Sequence, residues 1–327
     1  MIKKLLMFLV LVMVLSVAAT MAWRNLPILP ETATARSFTI APGSSVRGSI
    51  AQMNAAGVST NPLLLELLAR VTGKSARMKA GQYVLKPGTT PNQLLDQLMR
   101  GEFAQEALVI IEGWTFAEMR RAVAAHPGLK HETAELSESV LLAKISPDLQ
   151  AGEGMFFPDT YRFASNASDL HIYRQAYTTM QKKLDQYWQK RAVDLPYKTA
   201  YEALIMASII EKETGQPSER RQIAGVFVNR LKRSMLLQTD PTVIYGMGAS
   251  YKGNIRKKDL QTDTPYNTYT RAGLPPTPIA LPGEQSLQAA LNPERGQALY
   301  FVSRGDGTSQ FSNNLSDHNR AVSKYQR

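Results

Sequence analysis

The chain has 327 residues, enough for one large domain or two modest ones with a sizeable core. Its 44% hydrophobic and 20% charged content excludes a disordered chain, and the lack of cysteine excludes disulfides, a thiol nucleophile and a lipid-modified cysteine. The formal net charge of +11 indicates an anionic partner. No long Lys/Arg block with interleaved aromatics occurs, which disfavours nucleic acid.

The first 25 residues predict a membrane anchor. Lys3 and Lys4 precede Leu5–Trp23, a run of apolar or small residues without a charge. A helix of this length spans roughly 28 Å, about the hydrocarbon thickness of a bilayer. The positive residues before the run predict that the large domain after it lies outside the cytoplasm. A cleaved signal peptide is the alternative, because small residues stand near plausible cleavage points.

Residues 26–105 predict a small α/β unit that begins with a proline-containing linker. Alternation and apolar periodicity predict a strand–helix–helix–strand order followed by a third helix. The expected elements are a strand at Arg36–Ile40, a helix capped by Ser44 or Ser45, a helix at Leu63–Val71, a strand at Gln82–Leu85 and a helix at Pro91–Arg100 that Gly101 ends.

Residues 106–327 predict a larger α+β unit. Ala107–Ile111 is an apolar strand, and Thr115 with Glu118 forms a capping box that opens a helix. Two amphipathic helices follow, with apolar faces over 173–187 and 223–231. Seven prolines between residues 241 and 293 predict loops and short elements toward the end of the chain.

The most informative element is a helix that is apolar on nearly every side until it reaches Glu211 and Glu213. Thr199 and Glu202 predict a capping box at its start, and Gly215 predicts its end. A helix apolar all round belongs inside a domain. A carboxyl group at the end of such a helix is costly to ionise, which predicts a raised pKa and suits a general acid. The alternative is that both glutamates are solvated where the helix emerges.

Several long motifs in one order resemble the YceG-like family of endolytic murein transglycosylases. They are EGMFFPDTY, ASIIEKET, SER, FVNRL, LQTDPTVIYGMG, YNTY and GLPPTPI, within residues 153–282. The resemblance covers nearly the whole chain. It implies an α+β fold with an N-terminal transmembrane helix (1–25), a small LysM-like α/β subdomain (26–105) and a YceG-like catalytic domain (106–327). The LysM-like subdomain would either bind glycan chains or serve only as a spacer that packs against the catalytic domain.

The resemblance also implies an activity and a location. The family cleaves bonds between N-acetylmuramic acid and N-acetylglucosamine in nascent peptidoglycan strands, leaving 1,6-anhydro ends. Its catalytic residue is the first glutamate of the EKET motif, here Glu211, acting as acid and then as base. The expected location is the bacterial inner membrane, with one membrane pass and the catalytic domain in the periplasm. Penicillin-binding peptidoglycan synthases are the implied protein partners.

Six polar or aromatic residues in the loops after the central helix are candidates for substrate binding. Nearby polar groups must steady a cationic intermediate, and tyrosines can stack on sugar rings or simply pack in the core. The candidates are Gln238, Thr239, Asp240, Tyr245, Asn267 and Tyr269. We expect no cofactor and no metal, since the four histidines lack metal-ligand spacing.

Two other functions remain open. Asp240 could be a second catalytic carboxylate, which would make the enzyme a hydrolase, or it could cap the turn at Asp240-Pro241. A non-catalytic glycan-binding scaffold for the synthases is the second alternative. Replacement of Glu211 distinguishes the scaffold, because only an enzyme needs that carboxyl group.

Overall fold

The computed structural model describes residues 7–8, 10–11, 14, 18–19, 21–74, 78–213 and 215–326. The chain divides into two compact units, one of 1–106 with 162–167 and the other of 107–161 with 168–327. In the described part of the chain, no helix has both the length and the apolar character needed to cross a membrane. Only about half of the predicted span Leu5–Trp23 lies within the described residues, so it stays a prediction, as do the predicted domain boundaries.

The first unit contains the predicted strand–helix–helix–strand order, which is confirmed. Its likeness to LysM stays a prediction. The two strands are antiparallel, with Arg36 opposite Leu85 and Ile40 opposite Gly81. In chain order the elements are β1 (Arg36–Ile40), α1 (Val46–Ala55), α2 (Pro62–Val71), β2 (Gly81–Leu85) and α3 (Pro91–Arg100).

Local signals explain the helix ends in this unit. The Ser45 hydroxyl accepts a hydrogen bond from the Gly48 amide, and Thr90 with Gln93 forms a capping box at α3. Gly101 ends α3 with φ +71°, a left-handed conformation that favours glycine. The unit has its own core, in which Phe38 and Tyr83 stack at 5.5 Å between ring centroids.

The remaining elements mix helices with short strand pairs, which confirms the α+β class. β3 pairs with β5, β4 with β6, and β7 with β8. In chain order they are β3 (Gln105–Val109), α4 (Phe116–Ala125), β4 (Leu129–Lys130), α5 (Glu138–Ile145), β5 (Thr160–Ala164), β6 (Ala167–Ser168), α6 (Asp169–Gln189), α7 (Ala200–Glu213), α8 (Arg220–Lys232), α9 (Asp240–Met247), α10 (Lys257–Gln261), α11 (Glu284–Leu291), β7 (Tyr300–Ser303), β8 (Ser309–Ser312) and α12 (Leu315–Tyr325).

Helix α7 is the centre of the second unit, as its all-round apolar pattern predicts. Every residue from Ala203 to Ile210 is buried, and helices α6, α8, α9 and α11 pack around it. Thr199 caps its start, accepting from the Glu202 amide at 3.2 Å. The Glu202 carboxylate accepts from the amide of Lys198 instead of that of Thr199, so the predicted capping box forms only in part.

The end of the chain is more regular than predicted. β7 and β8 form an antiparallel hairpin, and α12 packs against both strands. The prediction of loops and short elements holds as far as this hairpin, and the eleven-residue α12 departs from it for a physical reason. All the prolines that motivated it lie at or before Pro293, whereas α12 follows Asn314, whose side chain caps the Asp317 amide.

Candidate active site

Helix α7 presents its two terminal glutamates to different surroundings. Glu211 and Glu213 are two residues apart, which separates their side chains by about 200° around an α-helix. Neither is solvated as the alternative interpretation required: the Glu211 side chain is 6% exposed, and Glu213 is partly buried. Each carboxyl group therefore has its own set of partners.

Glu211 is held by groups from α8 and from the start of α11. Its Oε2 accepts from the Gly283 amide at 2.9 Å, and its Oε1 lies 3.6 Å from the guanidinium of the buried Arg220. The Glu112 carboxyl group lies beside this pair, and burial, followed by the charge of Glu211, raises its pKa. A side chain at Gly283 would collide with the Glu112 carboxylate. Both Glu211 oxygens thus have protein partners in a closely packed cluster.

Glu213 faces the other way, toward the loop before α9. The Thr239 hydroxyl donates a hydrogen bond to Glu213 Oε1. Burial raises the pKa of Glu213 to about 7; the hydrogen bond from Thr239 and the charge of Arg230 act in the opposite direction, while the charge of Asp240 adds to the rise. The raised pKa expected for a carboxyl group at this helix end is found here.

A cavity of about 530 Å³ opens beside Glu213. Part of its wall comes from α7, α8 and the loops around α9, and part comes from the β7–β8 hairpin and α12. The polar and aromatic residues of the wall include Glu213, Arg230, Gln238, Asp240, Tyr269, Tyr300, Ser303, His318, Asn319 and Gln326. The cavity therefore combines one carboxyl group of raised pKa with polar and aromatic groups, as a polar-substrate site requires.

Three of the predicted binding residues meet at this cavity. Gln238, Asp240 and Tyr269 line it, and the Tyr269 hydroxyl donates to Asp240 Oδ1 at 2.6 Å. Gln238 has φ +51°, an uncommon conformation for a residue other than glycine. Asp240 does not cap the turn as predicted. Its carboxylate accepts a hydrogen bond from the Tyr269 hydroxyl, and the N-cap of α9 is Thr239.

Thr239 and Asn267 are buried and Tyr245 is partly buried, and none of the three lines the cavity. Thr239 is 2% exposed and reaches the site only through Glu213. The Asn267 amide donates to the carbonyls of Asp259, Leu260 and Thr262, so it holds a loop together. A direct substrate contact by Thr239 or Asn267 stays a prediction that their burial does not favour.

Tyr245 belongs to a separate buried cluster. Its hydroxyl donates to Glu153 Oε2 at 3.0 Å, and its ring packs edge-on against Tyr266 at 4.8 Å. Glu153 also accepts from the Phe116 amide at the start of α4, and burial raises its pKa to about 7. Tyr245 is thus a packing tyrosine here, which was the alternative to sugar stacking, and its stacking role stays a prediction.

Sequence analysis missed the part of the wall that comes from the chain end. Arg230 of α8 is 8% exposed and lines the cavity beside this part of the wall. Tyr300 and Asn319 also line it, as does His318, one of the four histidines that lack metal-ligand spacing. The available signal was the spacing of Leu315, His318, Asn319 and Val322, which places these four side chains on one face of a helix.

The described residues contain no group of three or more histidine, aspartate or glutamate side chains arranged to hold a metal ion. The expectation that the protein uses no metal and no cofactor stays a prediction.

The chain is similar to proteins of one family along most of its length. The profile of the YceG-like family matches residues 38–324. An endolytic murein transglycosylase of Bacillus subtilis is 30% identical over 318 residues, covering 91% of this chain and 87% of the relative. An endolytic murein transglycosylase of Streptococcus pneumoniae is 27% identical over 336 residues. The alignment covers 91% of this chain but only 60% of that relative.

A solved structure agrees with this. The crystal structure of a YceG-like protein from Listeria monocytogenes superposes with a TM-score of 0.54 at 29% identity, covering 88% of this chain and 99% of that protein. The resemblance seen in the sequence motifs is confirmed, and this chain belongs to the YceG-like family.

Proposed function

We propose that the protein is a membrane-anchored endolytic lytic transglycosylase of peptidoglycan, a lyase that leaves 1,6-anhydro ends on nascent glycan strands. The name shared by its relatives supports peptidoglycan cleavage. The observation that carries the proposal is Glu213, a partly buried carboxyl group with a pKa of about 7 in the wall of a 530 Å³ cavity. Such a group can give and take a proton near neutral pH.

The reaction needs one group that serves as acid and then as base. The neutral carboxyl group protonates the oxygen that bridges N-acetylmuramic acid and N-acetylglucosamine, and the C1–O bond breaks. The resulting carboxylate accepts the proton of the muramic acid C6 hydroxyl as that oxygen bonds to C1. The proton balance closes, the carboxyl group is regenerated, and no water is consumed. A carboxyl group whose pKa lies near the working pH favours both steps.

Two glutamates compete for this role. The motif resemblance indicates Glu211, whereas the geometry favours Glu213. Glu211 is 6% exposed, its oxygens face the Gly283 amide and the Arg220 guanidinium, and it is not among the residues that line the cavity. Glu213 lines the cavity, and burial raises its pKa to about 7. We therefore assign the proton transfers to Glu213 and a supporting role to Glu211.

Asp240 supports this assignment in a way that also keeps the hydrolase alternative open. Asp240 lines the same cavity as Glu213, and its carboxylate accepts a hydrogen bond from the Tyr269 hydroxyl. Its negative charge can stabilise a cationic sugar intermediate. A hydrolase would use a second carboxylate to activate water.

The anchor, the location and the protein partners are part of the proposal. The apolar run Leu5–Trp23 after two lysines supports one pass through the inner membrane with the catalytic unit in the periplasm. The net charge of +11 suits both an anionic lipid surface and acidic stem peptides. An anchored enzyme would meet strands as penicillin-binding synthases release them.

Mass spectrometry of products from purified glycan strands tests the reaction. We expect fragments with anhydro ends. Fragments heavier by one water molecule would identify a hydrolase and direct attention to Asp240. Strand binding without cleavage by the wild-type protein would instead favour the scaffold.

A further inference from the structure

Helix α12 forms one wall of the cavity that contains Glu213. Leu315, His318, Asn319 and Val322 all line it, at positions i, i+3, i+4 and i+7 of the helix. None of these residues takes part in the proton transfers described above. A helix that presents one face to a cavity is placed to contact whatever the cavity holds.

The wall is fixed to the rest of the unit. Phe301 of β7 packs edge-on against Phe227 of α8 with ring centroids 6.0 Å apart. The buried Arg230, also on α8, donates from Nε to the Leu299 carbonyl at 2.7 Å. Because α12 packs on β7 and β8, these contacts hold its cavity face in position relative to α8.

His318 is the aromatic polar residue of this face. Its ring stacks on Tyr300 at 5.1 Å between centroids, and the Arg230 guanidinium lies 5.0 Å from the same Tyr300 ring. Its Nδ1 is buried and has no hydrogen-bond partner among the described residues. No contact of Nδ1 therefore fixes which ring nitrogen carries the proton, so Nε2 of the neutral ring can act toward a ligand either as a donor or as an acceptor.

The charge of this wall indicates what it would bind. Burial, together with the nearby charge of Arg230, lowers the pKa of His318, which favours the neutral form of the ring. Arg230 itself already donates to the carbonyls of Leu299, Leu236 and Leu237. Because the Arg230 guanidinium is engaged by backbone carbonyls, the polar groups that α12 offers are His318 and Asn319, which suit sugar hydroxyl and acetamido groups better than the carboxylates of a stem peptide.

We propose that His318 is a substrate-binding residue whose imidazole, held against Tyr300, hydrogen-bonds a sugar of the glycan strand. The inference rests on the proposed function, because it concerns the same cavity. It adds a contact from the last helix of the chain, which no motif in residues 153–282 indicates.

Binding to a protein that cannot cut tests this. The background is full-length E213Q, and the probe is purified glycan strands stripped of stem peptides. H318F in this background keeps the ring stacked on Tyr300 and removes both nitrogens. We expect roughly tenfold weaker binding, the effect of one lost hydrogen bond. H131F is the matched control, since His131 is exposed and does not line the cavity, and its affinity should be unchanged.

An H318F affinity equal to that of H131F would overturn the inference, and so would strands that bind only when stem peptides are present. In the catalytically intact protein, H318F should raise KM with kcat nearly unchanged. The test is separate from that of the proposed function: a wild-type protein that forms no anhydro ends would refute the activity, while the binding comparison would still decide the role of His318.

Discussion

At the residue scale, the two glutamates that end α7 differ in what surrounds their charge. Glu211 has a guanidinium at 3.6 Å, whereas Glu213 has a hydroxyl from Thr239 and a carboxylate, Asp240, in the same cavity. Burial, together with the negative charge of Asp240, raises the pKa of Glu213 and makes that carboxyl group easier to protonate. This difference is why the proton transfers are assigned to Glu213.

The pH dependence of kcat/KM should follow the surroundings of Glu213. The acid step needs the protonated carboxyl group, so activity should fall above about pH 7. D240N removes a negative charge that raises this pKa and should move the fall to lower pH. T239V removes a hydrogen bond that stabilises the carboxylate and should move it to higher pH. Y269F, which keeps the Asp240 charge, is the control. Parallel shifts in D240N and T239V would contradict the assignment.

Glu153 should make folding stability pH-dependent. Burial raises its folded pKa to about 7 from an ordinary value near 4.5, so its contribution is fully present below pH 4.5 and is lost as the pH rises toward 7. The loss can reach roughly 3 kcal/mol. E153Q mimics the neutral form and can keep the bonds to Phe116 and Tyr245. Chemical denaturation should show that the free energy of unfolding of E153Q rises relative to that of the wild type between pH 5 and 7. A difference in free energy that stays constant over this range would refute the prediction.

At the element scale, α7 is fixed to the loop before α11 by one buried hydroxyl. Ser208 donates to the Ile205 carbonyl within the helix and accepts from the Ile279 amide at 2.9 Å. This bond fixes the 277–281 loop, which in turn leads to Gly283 and its contact with Glu211. The position of the glutamates thus depends on a contact between residues far apart in sequence.

S208A should be destabilised by about 1–3 kcal/mol, because it leaves the buried Ile279 amide without a partner. S286A is the matched control. Ser286 is as buried as Ser208, but its hydroxyl has no hydrogen-bond partner among the described residues, so its removal should cost nothing or stabilise slightly. Urea denaturation measures both, and equal losses would contradict this account of Ser208.

Elements specified by local signals were predicted well, and contacts between distant elements were not. The strand–helix–helix–strand order and the buried helix α7 follow from periodicity and capping residues close to them in sequence. The choice between Glu211 and Glu213 depends on Thr239, Arg220 and Gly283, which only the folded chain brings to α7. The α12 wall was not predicted. The prolines that indicate loops all lie before α12, and they carry no information about the helix itself.

At the scale of the whole molecule, the proposed anchor and the positive charge act together. The net charge of +11 would draw the catalytic unit toward an anionic lipid surface, and the apolar run Leu5–Trp23 would keep it there. Tethering raises the local concentration of enzyme where new strands appear without changing the active site.

Deletion of residues 1–25 should therefore separate location from chemistry. We expect the truncated protein to leave the membrane fraction and still cleave soluble glycan strands with a kcat near that of the full chain. Fractionation and product analysis measure the two properties. Continued membrane association at high salt would show that the anchor is not what holds the protein there.

The most direct test of the central claim is turnover of glycan strands by E213Q and E211Q, measured beside the wild type with folding stability determined for each. The two variants make the same change two residues apart on one helix, so each controls for the other. We predict that E213Q stays folded and loses at least about 100-fold in kcat, as expected for a lost general acid. E211Q should lose roughly 2–4 kcal/mol of stability with turnover per folded molecule largely kept. A stable, inactive E211Q beside an active E213Q would contradict the account and return the catalytic role to Glu211.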